Sequence, residues 1–169
     1  YKLLSGNEVG CLLVDYILSQ KKADGRLSDR PVIIKSMVTT DMATSIGEAY
    51  GAEVHNVLTG FKYIGELMTE LEEKGEGDRF ELGLEESYGY LSGMHTKDKD
   101  AVNASMLIVE MAAFYKSQGK TLCDVMNSLY EKLGYWNNAL FNFAFEGADG
   151  MAKMTSMMEM LRTHCPEEV

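Results

Sequence analysis

Apolar positions recur at two spacings along this chain, and their alternation sets out its elements. Val9, Leu12, Leu13, Tyr16 and Ile17 fall at helical spacing behind Ser5-Gly6-Asn7-Glu8, whose S-x-x-E order is that of a capping box. A polar stretch containing Gly25 and Pro31 closes that helix. Val32-Ile33-Ile34 then opens a nearly continuous apolar run to about Val38, as expected of a strand buried on both faces. Thr39-Thr40-Asp41 offers caps for a helix that stops at Gly51, and Glu53 to Leu58 reads as a second strand. Thr59-Gly60 turns into a helix bearing Phe61, Ile64, Leu67, Met68 and Leu71, ended by Gly75. Phe80 to Glu85 is the third strand. A helix from about Lys99 to Ser117 follows, with Val102, Met106, Val109 and Ala113 expected to line its buried face. Thr121-Leu122-Cys123-Asp124 starts a last helix, which carries Val125, Leu129 and Leu133 to Gly134.

The order α-β-α-β-α-β-α-α predicts an α/β fold with parallel strands, right-handed crossovers and helices on both faces. In such a sheet the strand C-termini share one edge, where ligands bind. Three turns leave that edge: Thr39-Thr40-Asp41, Thr59-Gly60-Phe61-Lys62 and Glu85-Glu86-Ser87. Each is rich in hydroxyls or carboxylates, which can hydrogen-bond a polyol. Helix N-termini behind the first two favour an anionic ligand. Taken singly, Thr39, Asp41 and Thr59 are better explained as helix caps.

The end of the chain reads differently. Leu140 to Glu146 alternates, with Phe141, Phe143 and Phe145 on one side, and Gly147-Ala148-Asp149-Gly150 leads into a Met-rich helix ending near Arg162. One strand and one helix cannot bury that aromatic face alone. The division expected is therefore residues 1–135 as one domain and 136–169 as the truncated start of another, with the aromatic face a source of self-association or of docking onto the first domain. The methionines are explained by amphipathic packing rather than metal binding. The chain starts at Tyr1, which suggests a piece excised from a longer protein.

With 169 residues and 46% hydrophobic content, the chain can build a full core. A net charge of −10 argues against nucleic acid as a partner. Cys11, Cys123 and Cys165 are far apart and match no zinc spacing, which points to reduced thiols and a cytoplasmic protein. The apolar part of the helix around Met106 to Tyr115 contains Glu110 and is too short to cross a bilayer. No G-x-G-x-x-G follows any strand, so a dinucleotide site lacks its phosphate turn.

Several segments together resemble the α-D-phosphohexomutases, the phosphoglucomutase and phosphomannomutase family. They are Leu4-Ser5-Gly6-Asn7-Glu8-Val9-Gly10, Thr39-Thr40-Asp41, Leu58-Thr59-Gly60-Phe61-Lys62-Tyr63-Ile64-Gly65, Glu85-Glu86-Ser87-Tyr88-Gly89, Lys97-Asp98-Lys99-Asp100-Ala101 and Phe145-Glu146-Gly147. The resemblance implies the third of four domains plus the start of the fourth. It also implies a three-layer α-β-α fold whose four-stranded, mostly parallel mixed sheet includes a short strand that periodicity does not reveal. The reaction it implies interconverts hexose 1-phosphate and 6-phosphate through a phosphoserine and a bisphosphate intermediate. Carried over, Glu85 and Ser87 would bind sugar hydroxyls, Thr59 and Gly60 would read sugar orientation, and Lys99 and Lys35 are candidate ligand lysines. Magnesium and glucose 1,6-bisphosphate are implied for the parent enzyme. The catalytic serine and the metal loop have no match in this chain, so the fragment is expected to be inactive by itself. Phe61 stands where other branches have tryptophan or histidine, Leu84 where many members have glycine, and Lys97 where arginine is common; these departures bear on sugar preference. The alternatives are a mutase for an amino-sugar phosphate and a non-catalytic Rossmann-like binding module.

Overall fold

A computed structural model describes residues 2–139 and 143–164. They fall into two compact units, residues 1–137 and 138–169. In the first unit the order is α1 (Gly6–Ala23), β1 (Val32–Ser36), α2 (Asp41–Ala49), β2 (Glu53–Val57), α3 (Phe61–Glu73), a 3-10 turn (Gly77–Arg79), β3 (Phe80–Glu85), β4 (Gly89–Leu91), α4 (Ala101–Ser117) and α5 (Leu122–Leu133). The sheet order is β2-β1-β3-β4. β1 runs parallel to both β2 and β3, whereas β4 pairs antiparallel with β3. The fold is thus a three-layer α/β/α arrangement with a mixed, mostly parallel sheet. β4 is the short strand that periodicity alone does not reveal, because three residues cannot establish an alternation.

Local chemistry accounts for the helix starts. Ser5 and Glu8 form a reciprocal capping box on α1, and Thr121 and Asp124 form one on α5. Thr40 caps α2 through Met42 N–H, and Asp100 caps α4 through Val102 and Asn103 N–H. β1 ends at Ser36, two residues before the expected end, because Met37 and Val38 are apolar but lie in an exposed turn.

The two faces of the sheet are covered unequally. α1, α2, α4 and α5 pack on one face around Ile33, Leu82, Leu84 and Tyr90. Among the described residues of this unit, α3 alone covers the other, where Phe61, Ile64, Met68 and Leu71 meet Val32, Ile34, Phe80 and Leu91. Between Val32 and Ile33 the register to β3 skips one residue, Glu81. This bulge lets the buried Glu81 carboxylate pair with Lys21 of α1. Burial pushes the Glu81 carboxyl above the usual carboxylate range, with Lys21 pulling the other way.

One expected face is reversed. Val102, Met106 and Val109 of α4 are 72%, 68% and 67% exposed, and the helix buries Ala104, Met111 and Tyr115 instead. The cause is that α4 is apolar almost all round: Leu107, Ile108 and Phe114 also pack against the core, so spacing alone does not select the inward face.

In the second unit, α6 (Gly147–Thr163) is the Met-rich helix expected. Of the strand expected over 140–146, residues 140–142 lie outside the described residues, and 143–146 carry no strand. Among the described residues, no helix is long and apolar enough to cross a membrane.

Candidate functional site

The C-terminal ends of β1, β2 and β3 share one edge of the sheet, as parallel pairing requires. The turn after β2 runs Leu58-Thr59-Gly60 into α3. Gly60 occupies the N-cap of α3 with φ 121°, a backbone conformation that side chains disfavour, and supplies no side-chain cap. Its N–H instead donates to Glu85 Oε1 at 2.8 Å. Thr59 is therefore not a cap; its side chain is exposed at the rim. Glu85, the last residue of β3, is only 6% exposed, and its carboxylate joins the strand end to the turn that precedes α3.

Lys99 reaches the same place from the loop before α4. Its ammonium lies 5.6 Å from the centroid of the Phe61 ring, within cation–π range. Gly89, opposite Glu85 in the β3–β4 pairing, makes this convergence possible. A Cβ there would sit 3.2 Å from Lys99 Cδ and 3.3 Å from Glu85 Oε2. The stem of Lys99 and the carboxylate of Glu85 thus pass close over a bare backbone.

The loop that delivers Lys99 is itself fixed. Lys97 pairs with Glu72 of α3 at 2.8 Å. His95 Nε2 lies 2.9 Å from Asp100 Oδ2, while Asp100 Oδ1 caps α4. The His95 hydrogen bond, with help from the capping amides, holds the Asp100 carboxyl below its usual range.

Ser87 sits in the three-residue turn Glu86-Ser87-Tyr88 between β3 and β4. It is exposed, and its hydroxyl has no partner among the described residues. Glu86, its neighbour, turns toward the end of β1. Its Oε2 lies 3.0 Å from Ser36 Oγ and 3.3 Å from Thr39 Oγ1.

Lys35 is placed differently from the other candidates. It is fully buried on β1, and its ammonium donates to the Thr39 carbonyl at 2.9 Å and to Asp41 Oδ1 at 3.0 Å. In this structure it braces the β1–α2 turn from beneath. The structure thus gathers Thr59, Gly60, Glu85 and Lys99 on one rim, sets Ser87 on the adjoining turn, and puts Lys35 inside the fold. Sequence reasoning missed the parts played by Phe61, Gly89 and Glu86 in this arrangement. A glycine and an aromatic residue next to polar candidates were the only available signals.

Such a rim presents carboxylate and hydroxyl acceptors, hydroxyl donors and one ammonium, a set suited to a polyhydroxylated anion. Among the described residues, no three His, Cys, Asp or Glu side chains come together to hold a metal ion. Magnesium, which the resemblance implies for the parent, finds no ligand set in the described part of this chain.

Fold and rim define an α/β/α domain with polar side chains gathered at one strand edge. Residues 5–133 match the family model described as phosphoglucomutase/phosphomannomutase, alpha/beta/alpha domain III, and the chain belongs to that family. It is 33% identical over 165 residues to a phosphoglucomutase of Staphylococcus epidermidis and 34% identical over 165 residues to one of Staphylococcus aureus. Each alignment covers 98% of this chain and 29% of the relative, so the chain spans less than a third of the length of these proteins. Two crystal structures share the fold. A putative phosphomannomutase from Thermus thermophilus aligns with a TM-score of 0.54 and 24% identity, over 72% of this chain and 25% of its own. The Paramecium phosphoprotein pp63/parafusin, a phosphoglucomutase in an open form, aligns with a TM-score of 0.65 and 17% identity, over 95% and 26%.

Proposed function

We propose that this chain is the sugar-recognition domain of a phosphoglucomutase-type enzyme that interconverts hexose 1-phosphate and 6-phosphate. The observation that carries this reading is the Glu85–Gly60 hydrogen bond beside Lys99, which joins the turns after β2 and β3 into one rim. Glu85 and Ser87 bind adjacent sugar hydroxyls. Both orientations of the sugar present such a pair, so one turn serves both half-reactions. Thr59 and Gly60 meet the sugar from the α3 side, and Lys99 holds a phosphate or hydroxyl by a charge-assisted hydrogen bond.

The phosphoserine, the magnesium that supplies electrostatic stabilisation when bound, and the bisphosphate's other contacts belong to further domains of a longer cytoplasmic parent. Residues 1–135 are one domain, residues from 136 onward open the next, and the chain by itself is inactive. Glucose is preferred over mannose and over amino sugars.

The test is steady-state kinetics of the full-length enzyme with glucose 1-phosphate and mannose 1-phosphate. Glu85→Gln and Ser87→Ala are expected to lower kcat/KM by about 10- to 100-fold, as loss of one or two well-placed hydrogen bonds does. Wild-type constants in both variants would overturn the assignment.

A further inference from the structure

The turn that carries Ser87 is held from two sides, by the start of α1 and by the end of β1. From the α1 side, the N-terminal segment lies directly beneath it. Tyr88 Oη donates to the Leu4 carbonyl at 3.0 Å, and Tyr90 Oη donates to the Gly6 carbonyl at 2.7 Å. Gly6 touches the turn backbone so closely that a Cβ would overlap the Glu86 carbonyl oxygen and stand 3.0 Å from Tyr88 N. From the β1 side, Glu86 reaches Ser36 and Thr39, whose hydroxyls are 2.8 Å apart. One consistent arrangement has Thr39 donating to Ser36 and Ser36 donating to Glu86. Asn7 then ties the same two elements together, its Oδ1 accepting from Thr40 N–H at 3.0 Å. Within the turn, Tyr88 holds φ 63°, a left-handed conformation uncommon outside glycine and asparagine. Such a conformation persists where the surroundings over-determine it.

Resting on the sugar-recognition reading above, we infer that Glu86 and Gly6 are positioning residues for Ser87 and Glu85. Glu86 anchors the turn to the Ser36–Thr39 hydroxyl pair, and Gly6 sets its height over α1. Neither touches the sugar. Together they fix the Ser87 hydroxyl and the Glu85 carboxylate relative to each other before a ligand arrives, which lowers the ordering cost of binding. Ser36 and Thr39 can still bond each other when Glu86 is removed. Loss of the anchor therefore frees the turn without leaving several buried polar groups unpaired.

The experiment measures KM and kcat for glucose 1-phosphate in the full-length enzyme, with thermal midpoints alongside. Glu86→Ala and Gly6→Ala are expected to raise KM about tenfold, as misplacement of a substrate-orienting group does. Glu86→Gln keeps an acceptor oxygen for Ser36 and is expected to return KM to within about twofold of wild type. A merely structural role would lower the active fraction, and so kcat, with KM unmoved. Ser36→Ala removes the nearer of the two hydroxyls that hold Glu86, leaving the longer Thr39 contact, and is expected to raise KM as well, which keeps the test open if Glu86→Ala fails to fold. Ser87→Ala serves as the reference. If it raises KM while Glu86→Ala, Gly6→Ala and Ser36→Ala do not, the positioning role is refuted and the sugar site stands. If Ser87→Ala leaves KM and kcat unchanged, the sugar site itself falls and the positioning role falls with it.

Discussion

Gly65 offers a test in which two ordinary expectations have opposite signs. It lies within α3, where replacing glycine with alanine normally stabilises a helix by about 1 kcal/mol. In this fold, however, the added Cβ would drive into the Lys97 carbonyl oxygen, with Lys97 Cβ at 3.3 Å and its carbonyl carbon at 3.4 Å. The obstacle is backbone, so it cannot swing aside as the tip of a side chain would. The 95–99 loop must retreat by about 1 Å, and overpacking of this kind costs about 1–3 kcal/mol. The net expectation for Gly65→Ala is a loss of about 0–2 kcal/mol, the difference between that cost and the helix gain. For a unit of this size that corresponds to a fall in Tm of up to roughly 8 °C. The loop shift also carries Lys99 off the Phe61 ring. Urea denaturation gives the stability, and amide chemical shifts of Lys97 to Asp100 report the loop. A variant more stable by about 1 kcal/mol, with those amides unmoved, would refute the close packing of loop on helix.

On α4, Met106→Lys should change stability by less than about 0.5 kcal/mol, whereas Met111→Ala should cost about 2–5 kcal/mol; equal effects in thermal unfolding would restore the face predicted from spacing. Lys35→Met should cost less than about 1.5 kcal/mol, because the stem is replaced by similar volume and Asp41 remains solvated, while Lys35→Ala should cost about 2–4 kcal/mol through the cavity it leaves. The reverse order in urea titrations would mean that the charge, rather than the stem, is what the site needs. Asp100, Glu53, Glu76 and Asp124 are held below the usual carboxylate range, chiefly by hydrogen bonds from His95, Arg79, Arg79 and Thr121 respectively. A depressed folded-state pKa contributes stability that is complete above the unfolded value, about 4, and is lost as pH falls through the folded value. Urea midpoints should therefore drop below about pH 4, and a midpoint that rose there would contradict the assignment.

The strands and caps of this fold could be read from sequence because their causes are local. Val32-Ile33-Ile34 has no comfortable place except a strand covered on both sides, and Ser5 with Glu8 needs only four residues to close a capping box. Where sequence reasoning failed, the deciding partner was distant. Thr59 looked like a cap, but Gly60 takes that position because Glu85, 25 residues later, satisfies its N–H. Glu86 and Glu85 are equivalent as letters, yet one faces the rim and the other reaches Ser36, 50 residues away. Lys35 read as a candidate ligand lysine on a rim strand, and only the fold shows its ammonium engaged by Thr39 and Asp41. On α4 the pattern was present on too many sides, and only packing selects among them.

The unequal cover of the two sheet faces gives the rim two mechanical halves. Glu86 to Tyr88 is fastened to the side where four helices share one core. Thr59 and Gly60 ride on the tip of α3, a single helix over a thinner layer, joined to the other half by the Glu85–Gly60 bond and by the Lys97 loop. Amide exchange should find α3 opening at lower free energy than α1 or β1. The edge is therefore anchored unevenly: one end is fastened to the larger core, and the other follows a single helix.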